Sequence, residues 1–179
     1  MFTFRAAEVH TLEKGYRHEP HHLPILRLLS SEDPPLLLVV DDRESNRDLL
    51  RYLLKDVGFR VGEAVDGVEA MKYLEHTRPR GILLDRRMPN MDGLEVLRRI
   101  RGNPETAHMP VVMVSASVTE EDCDEVLRLG ADAFIRKPFI EEELLETLGR
   151  LLHLRYAYGE TPSQEEEPSA PETSEGSSR

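Results

Sequence analysis

Five short apolar runs, each followed by a segment with apolar residues at helical spacing, set the limits on what this chain can fold into. Leu36-Leu37-Leu38-Val39-Val40 is continuous and ends in Asp41-Asp42, the pattern of a strand covered on both faces. Leu49, Leu50, Leu53, Leu54 and Val57 then recur at helical spacing, and Gly58 follows as a stop. The cycle repeats with a strand over residues 60–65 and a helix carrying Met71 and Leu74, opened by Asp66 with Glu69 three residues on. A third strand covers residues 81–85, and Leu94, Leu97 and Ile100 mark the short helix after it. A fourth strand covers residues 111–115, and Thr119 with Asp122 starts the next helix. The fifth strand is residues 133–136, and Ile140, Leu144, Leu145, Leu148, Leu151 and Leu152 form the stripe of the last helix. Such alternation calls for a parallel sheet covered on both faces. The right-handed crossover rule leaves few topologies, of which the doubly wound one is the commonest at this size.

Composition bounds what lies around that domain. The chain has 179 residues, with 23 Lys and Arg against 34 Asp and Glu, a formal net charge of -11. An acidic balance argues against a nucleic-acid surface, which needs clustered cations to neutralise phosphates. Cys123 is the single cysteine, so neither a disulfide framework nor a Cys-rich zinc site is possible. No stretch reaches the roughly 18 to 20 apolar residues of a membrane span, and no signal-peptide core interrupts the first 30 residues. The expectation is a soluble, cytoplasmic protein. Its division follows the composition: residues 1–35 as a flexible N-terminal arm, residues 36–156 as the folded domain, and residues 157–179 as a disordered acidic tail. The tail holds six carboxylates, one arginine and five serines. The arm holds four of the seven histidines (His10, His18, His21, His22), without the spacing of a known metal site, and one apolar patch over residues 23–29.

In doubly wound sheets, sites lie beyond the carboxyl ends of the strands, where strand order reverses. The residues there are Asp41 and Asp42 after the first strand, Asp85 after the third, Ser115 after the fourth and Lys137 after the fifth. With the order 2-1-3-4-5, the first and third strands are neighbours about 4.8 Å apart and their carboxylates converge. Close carboxylates resist full ionisation unless a cation joins them, and hard oxygen donors suit Mg²⁺. A cation there makes Asp85 a usable nucleophile for a phosphoryl group, with Lys137 and the Ser115 hydroxyl facing the other phosphoryl oxygens. Taken singly, an Asp pair ending a strand also serves as a helix N-cap, and Ser115 and Lys137 also read as a turn residue and a surface charge.

Together the motifs are recognisable. Leu38-Val39-Val40-Asp41-Asp42, the run Leu84 to Gly93 (Asp85-Arg86-Arg87-Met88-Pro89-Asn90-Met91-Asp92-Gly93), Val114-Ser115-Ala116 and Lys137-Pro138-Phe139 strongly resemble the receiver domain of two-component response regulators, over roughly residues 36–155. The resemblance implies a flavodoxin-like five-stranded parallel sheet with five helices. It implies that Asp85 takes a phosphoryl group from a histidine kinase or phosphotransfer protein. By the same resemblance Asp42 is a direct Mg²⁺ ligand, Asp41 lies nearby, and the main-chain carbonyl of Arg87 adds a further ligand. Ser115 matches the switch hydroxyl, Lys137 the phosphate-facing lysine and Phe134 the aromatic that changes rotamer. The Lys137-Pro138 peptide is commonly cis in this family. Output is expected by binding a downstream protein, without nucleic acid or membrane, as a stand-alone receiver rather than a turnover enzyme.

Three features depart from the family pattern or stay open. Arg86 and Arg87 follow the acceptor, where relatives are less basic, and two guanidinium groups there could hold phosphoryl oxygens or obstruct an attacking water. Arg43 stands where many relatives have Asn. The first helix, with Asn46, Leu49, Leu50 and Leu53, is the expected docking surface for the phosphodonor, though its leucines are equally explained as core. Competing readings are a scaffold that no longer takes phosphate, against which all four site elements stand, and an aspartyl-phosphate hydrolase. The latter wants a second acid where Arg87 stands.

Overall fold

The computed structural model describes residues 24–29, 33–116 and 119–159. The expected strands pair in parallel: β2 (Leu36–Val40), β3 (Arg60–Ala64), β4 (Gly81–Leu84), β5 (Val111–Ser115) and β6 (Ala133–Arg136), in spatial order β3-β2-β4-β5-β6. Numbered from Leu36, this is the order 2-1-3-4-5. Helices α1 (Glu44–Val57), α2 (Gly67–His76), α3 (Gly93–Gly102), α4 (Glu120–Arg128) and α5 (Glu141–Leu152) make the crossovers. Flat alternation along β2 sends Leu37 and Val39 to the side of α1 and α5, and Leu38 and Val40 to the side of α2, α3 and α4. Leu54, Leu144 and Leu145 fill the first layer; Leu97, Ile100 and Val126 fill the second. Each such leucine contributes roughly 2 kcal/mol on leaving water.

Local chemistry sets the helix ends. Asp66 and Asp92 cap α2 and α3 by accepting from the backbone N–H groups of Glu69 and Glu95, and Thr119 with Asp122 closes both halves of a capping box on α4. α1 stops at Gly58, whose φ of 111° suits a residue without Cβ and whose N–H returns to the Leu54 and Lys55 carbonyls.

Two strands fall outside the expected boundaries. Ile25–Leu28 (β1), placed by composition in the arm, pairs antiparallel with Tyr156–Tyr158 (β7), so Ala157 and Tyr158 belong to folded structure rather than to the tail. Hydrogen bonds from Leu29 N–H to the Arg155 carbonyl (2.8 Å) and from Gly159 N–H to the Pro24 carbonyl (2.9 Å) bracket the pair. Ile25 and Leu28 pack onto the α1–α5 layer, and the buried Tyr156 hydroxyl donates to the Leu145 carbonyl at 2.7 Å. Alternation rules miss this unit because neither strand is long enough to show a period. The arm histidines and residues from Glu160 onward lie outside the described residues. Among the described residues no helix is long and apolar enough to cross a membrane.

Candidate acceptor site

The carboxyl edge of the sheet gathers the residues singled out by position. Asp85 follows β4 directly, and its N–H donates to the Val40 carbonyl of the neighbouring strand at 2.8 Å. Asp41 follows β2, and both its carboxylate oxygens are occupied. Oδ1 accepts from the Arg43 N–H at 2.9 Å, and the Asn46 amide donates to both oxygens at 3.0 Å. The Arg47 guanidinium holds the Asp41 carbonyl at 2.8 Å. The opening turns of α1 therefore fix Asp41 in place. Lys137, one residue past β6, reaches back across the end of β5. Its ammonium lies 2.5 Å from Asp41 Oδ2 and 3.1 Å from Asp85 Oδ1. Its N–H donates to the Ser115 carbonyl at 3.0 Å, and the Lys137-Pro138 peptide is cis.

Asp85 and Lys137 line a cleft of about 540 Å³ together with Asp42, Arg43, Ser115, Arg87, Leu49 and Phe139. Asp41 is 2 % exposed and Asp85 8 %. Burial pushes the Asp85 carboxyl above the usual carboxylate range, against the pull of Lys137, and the charge of Asp41 adds to the rise. One ammonium thus faces two buried carboxylates, with the Asp42 carboxylate on the exposed lip of the same cleft. A donor set made only of oxygens fits a hard divalent cation. Among the described residues no three of His, Cys, Asp or Glu stand close enough to cage a metal by themselves. Asp41 and Asp85 meet through Lys137.

The two arginines after the acceptor part company. Arg87 lines the cleft, and its N–H donates to Asp85 Oδ2 at 3.0 Å. Arg86 points away, to α4, where Nη1 lies 2.5 Å from Asp122 Oδ1 and Nη2 3.4 Å from Glu125 Oε2. Of the expected guanidinium pair at the mouth, only Arg87 is there, because the acids on α4 hold the other. Phe134 sits half-buried beside the α2–α4 layer, in register with Met113. On α1, Leu50 and Leu53 are core at 3 % and 7 % exposure, whereas Leu49 is 56 % exposed. Asn46 is engaged by Asp41. The docking face expected on this helix therefore reduces to Leu49, joined by the exposed Tyr52. Sequence reasoning also missed the bonds of Asn46 and Arg47 to Asp41. Their place in the first turns of the helix behind the acidic pair was the available signal.

Comparison with known proteins finds similar sequences and similar folds. The model of the response regulator receiver domain matches residues 37–149. The phosphate regulon transcriptional regulatory protein PhoB of Rhizobium meliloti (strain 1021) is 36 % identical over 118 residues, which are 66 % of this chain and 52 % of PhoB. The chain thus spans about half the length of that relative. Among solved structures, the chemotaxis protein CheY4 of Vibrio cholerae superposes with a TM-score of 0.63 at 33 % identity, covering 66 % of this chain and 99 % of that one. The receiver domain of sensor histidine kinase PA1611 from Pseudomonas aeruginosa PAO1, solved with magnesium coordinated in its active-site cleft, gives a TM-score of 0.63 at 29 % identity, covering 68 % and 99 %.

Proposed function

The chain belongs to the response regulator receiver domain family of two-component signalling, and on that footing we propose that it is a switch phosphorylated on Asp85 in a Mg²⁺-dependent reaction. The donor is a phosphohistidine of a histidine kinase or phosphotransfer protein. The P–N bond of the donor breaks as a P–O bond to an Asp85 oxygen forms, and the departing imidazole keeps the electron pair. The observation that carries this reading is the single ammonium of Lys137 shared between the buried carboxylates of Asp41 and Asp85.

Each residue has a task in that transfer. Lys137 orients the Asp85 carboxylate before reaction and faces a phosphoryl oxygen afterwards. Asp41, Asp42, Asp85 and the main-chain carbonyl of Arg87 would hold the magnesium ion. The bound ion supplies neutralisation of charge as the phosphoryl group arrives. Ser115, buried at the end of β5, turns its hydroxyl to the phosphoryl group, and Phe134 on adjacent β6 moves into the space released. Output follows by binding a downstream protein, so the chain acts as a signalling module and turns over no external substrate. Residues 36–156 with the β1–β7 pair form the switch.

The test is intact mass after incubation with acetyl phosphate, with and without Mg²⁺, on wild type and Asp85→Asn. One phosphoryl group gained only with Mg²⁺, and absent from the variant, is the expected result. No adduct from acetyl phosphate or from a phosphorylated donor domain would leave a binding scaffold instead.

A further inference from the structure

The backbone of Asp85 and Arg86 packs directly against Gly93. Gly93 N–H donates to the Arg86 carbonyl at 2.8 Å, and a Cβ at Gly93 would lie 2.2 Å from the Asp85 carbonyl oxygen and 2.9 Å from Arg86 Cα. From that fixed base the Arg86 side chain, 15 % exposed, spans to the first two turns of α4. The carboxylate it meets is already in use. Asp122 Oδ2 accepts from Thr119 N–H at 3.0 Å as one half of the α4 capping box, and Oδ1 lies against the Arg86 guanidinium. Glu125, one turn on, takes the other Nη. α4 has few other anchors. Its one fully buried described side chain is Val126, Leu127 is exposed, and at nine residues it is too short to hold its helix in isolation.

We propose that Arg86 is a positioning residue that clamps α4 to the acceptor turn, and that a phosphoryl group on Asp85 releases the clamp. This rests on the phosphorylation of Asp85 proposed above. The competition is electrostatic. A phosphoryl group brings about two negative charges to the residue adjoining Arg86, and in a shielded setting these outbid two carboxylates that solvent already reaches. As the guanidinium turns to the phosphoryl oxygens, Asp122 keeps only its capping bonds and the first turn of α4 loosens. The route runs beside that of Ser115 and Phe134 and reaches a different helix end. It turns the unusual arginine after the acceptor into the sensor for α4.

Hydrogen–deuterium exchange over residues 119–128 tests it, read with and without acetyl phosphate and Mg²⁺, on wild type, Arg86→Gln and Glu125→Gln. Glu125→Gln removes one carboxylate of the clamp and leaves the capping box intact, so it covers the case of an Arg86→Gln chain that does not fold. Without phosphoryl donor, both variants exchange faster than wild type in α4, by at least about threefold, as loss of a half-buried ion pair predicts. With donor, wild-type α4 speeds up to the level of Arg86→Gln, and Arg86→Gln changes less than twofold. Unchanged α4 exchange in both unphosphorylated variants overturns the clamp. A full wild-type response to phosphorylation in Arg86→Gln overturns its role as sensor. A wild type that gains no phosphoryl mass from acetyl phosphate or from a phosphorylated donor domain overturns the proposed function itself, and intact mass on the same samples tells the cases apart.

Discussion

Lys137 holds Asp85 at 3.1 Å although the strands that end in them, β6 and β4, are not neighbours. β5 lies between, and the lysine passes over Ser115 to reach both Asp85 and, at 2.5 Å, Asp41 beyond it. Three strands are tied across their carboxyl ends by one cation. Four predictions come from this arrangement and its surroundings.

Asp85→Asn stabilises the fold at neutral pH. Burial raises the folded-state carboxyl of Asp85, so folding favours its protonated form. The contribution is present below the unfolded value and is lost as pH rises through the folded one. In chelator, urea unfolding shows the variant more stable than wild type near pH 7. The gap closes as pH falls through the carboxylate range. A gap that widens in acid contradicts the sign.

Neighbouring leucines on α1 separate docking from packing. Leu53→Ala deletes core and costs about 2–4 kcal/mol in denaturant unfolding. Leu49→Ala changes stability by less than about 0.5 kcal/mol. With a phosphorylated protein donor it slows transfer several-fold, and with acetyl phosphate it does not. Equal rates with both donors would remove Leu49 from the docking face.

Arg87 lines the cleft, as Arg43 does, and of the two arginines that follow Asp85 it is the one on that side. A guanidinium in that place is expected to contact phosphoryl oxygens and to stand in the path of water, which predicts a long-lived phosphorylated state. Arg87→Ala shortens the phosphoryl half-life several-fold by loss of one charge-assisted contact, followed by intact mass after donor removal. A half-life of seconds in wild type, unchanged in the variant, contradicts this.

Tyr156 fastens β7 and, through it, β1. A Cβ on Gly149 would lie 2.7 Å from the Tyr156 ring, and the ring is pinned by its bond to the Leu145 carbonyl. Gly149→Ala costs about 1–3 kcal/mol by overpacking, and Tyr156→Phe costs about 1 kcal/mol for the lost hydrogen bond. In both, amide exchange rises first at Leu29 and Gly159. Loss of strands β2 to β6 together with β1 and β7 would show that the small sheet is no separate unit.

Much of this molecule was legible before any coordinates. Alternating apolar runs and amphipathic stripes are local patterns, so β2 through β6, the order of their helices, the Asp66 cap of α2 and the capping box of α4 could be read residue by residue. The site was legible too, because strand ends in such a sheet point to one edge and Asp41, Asp85, Ser115 and Lys137 stand at them. Tertiary structure decided what local patterns leave equal. Leu49 and Leu50 fit the same helical stripe, and only the sheet beneath chose Leu50. Arg86 and Arg87 are the same residue type side by side, and only the acids on α4 drew one away from the cleft. β1 and β7 are too short to show a period and lie far apart in the chain. Their pairing comes from the surface that α1 and α5 present and from the fit of Tyr156 over Gly149. Contacts between distant segments depend on the shape and charge of what has already folded, and no spacing along a sequence records that.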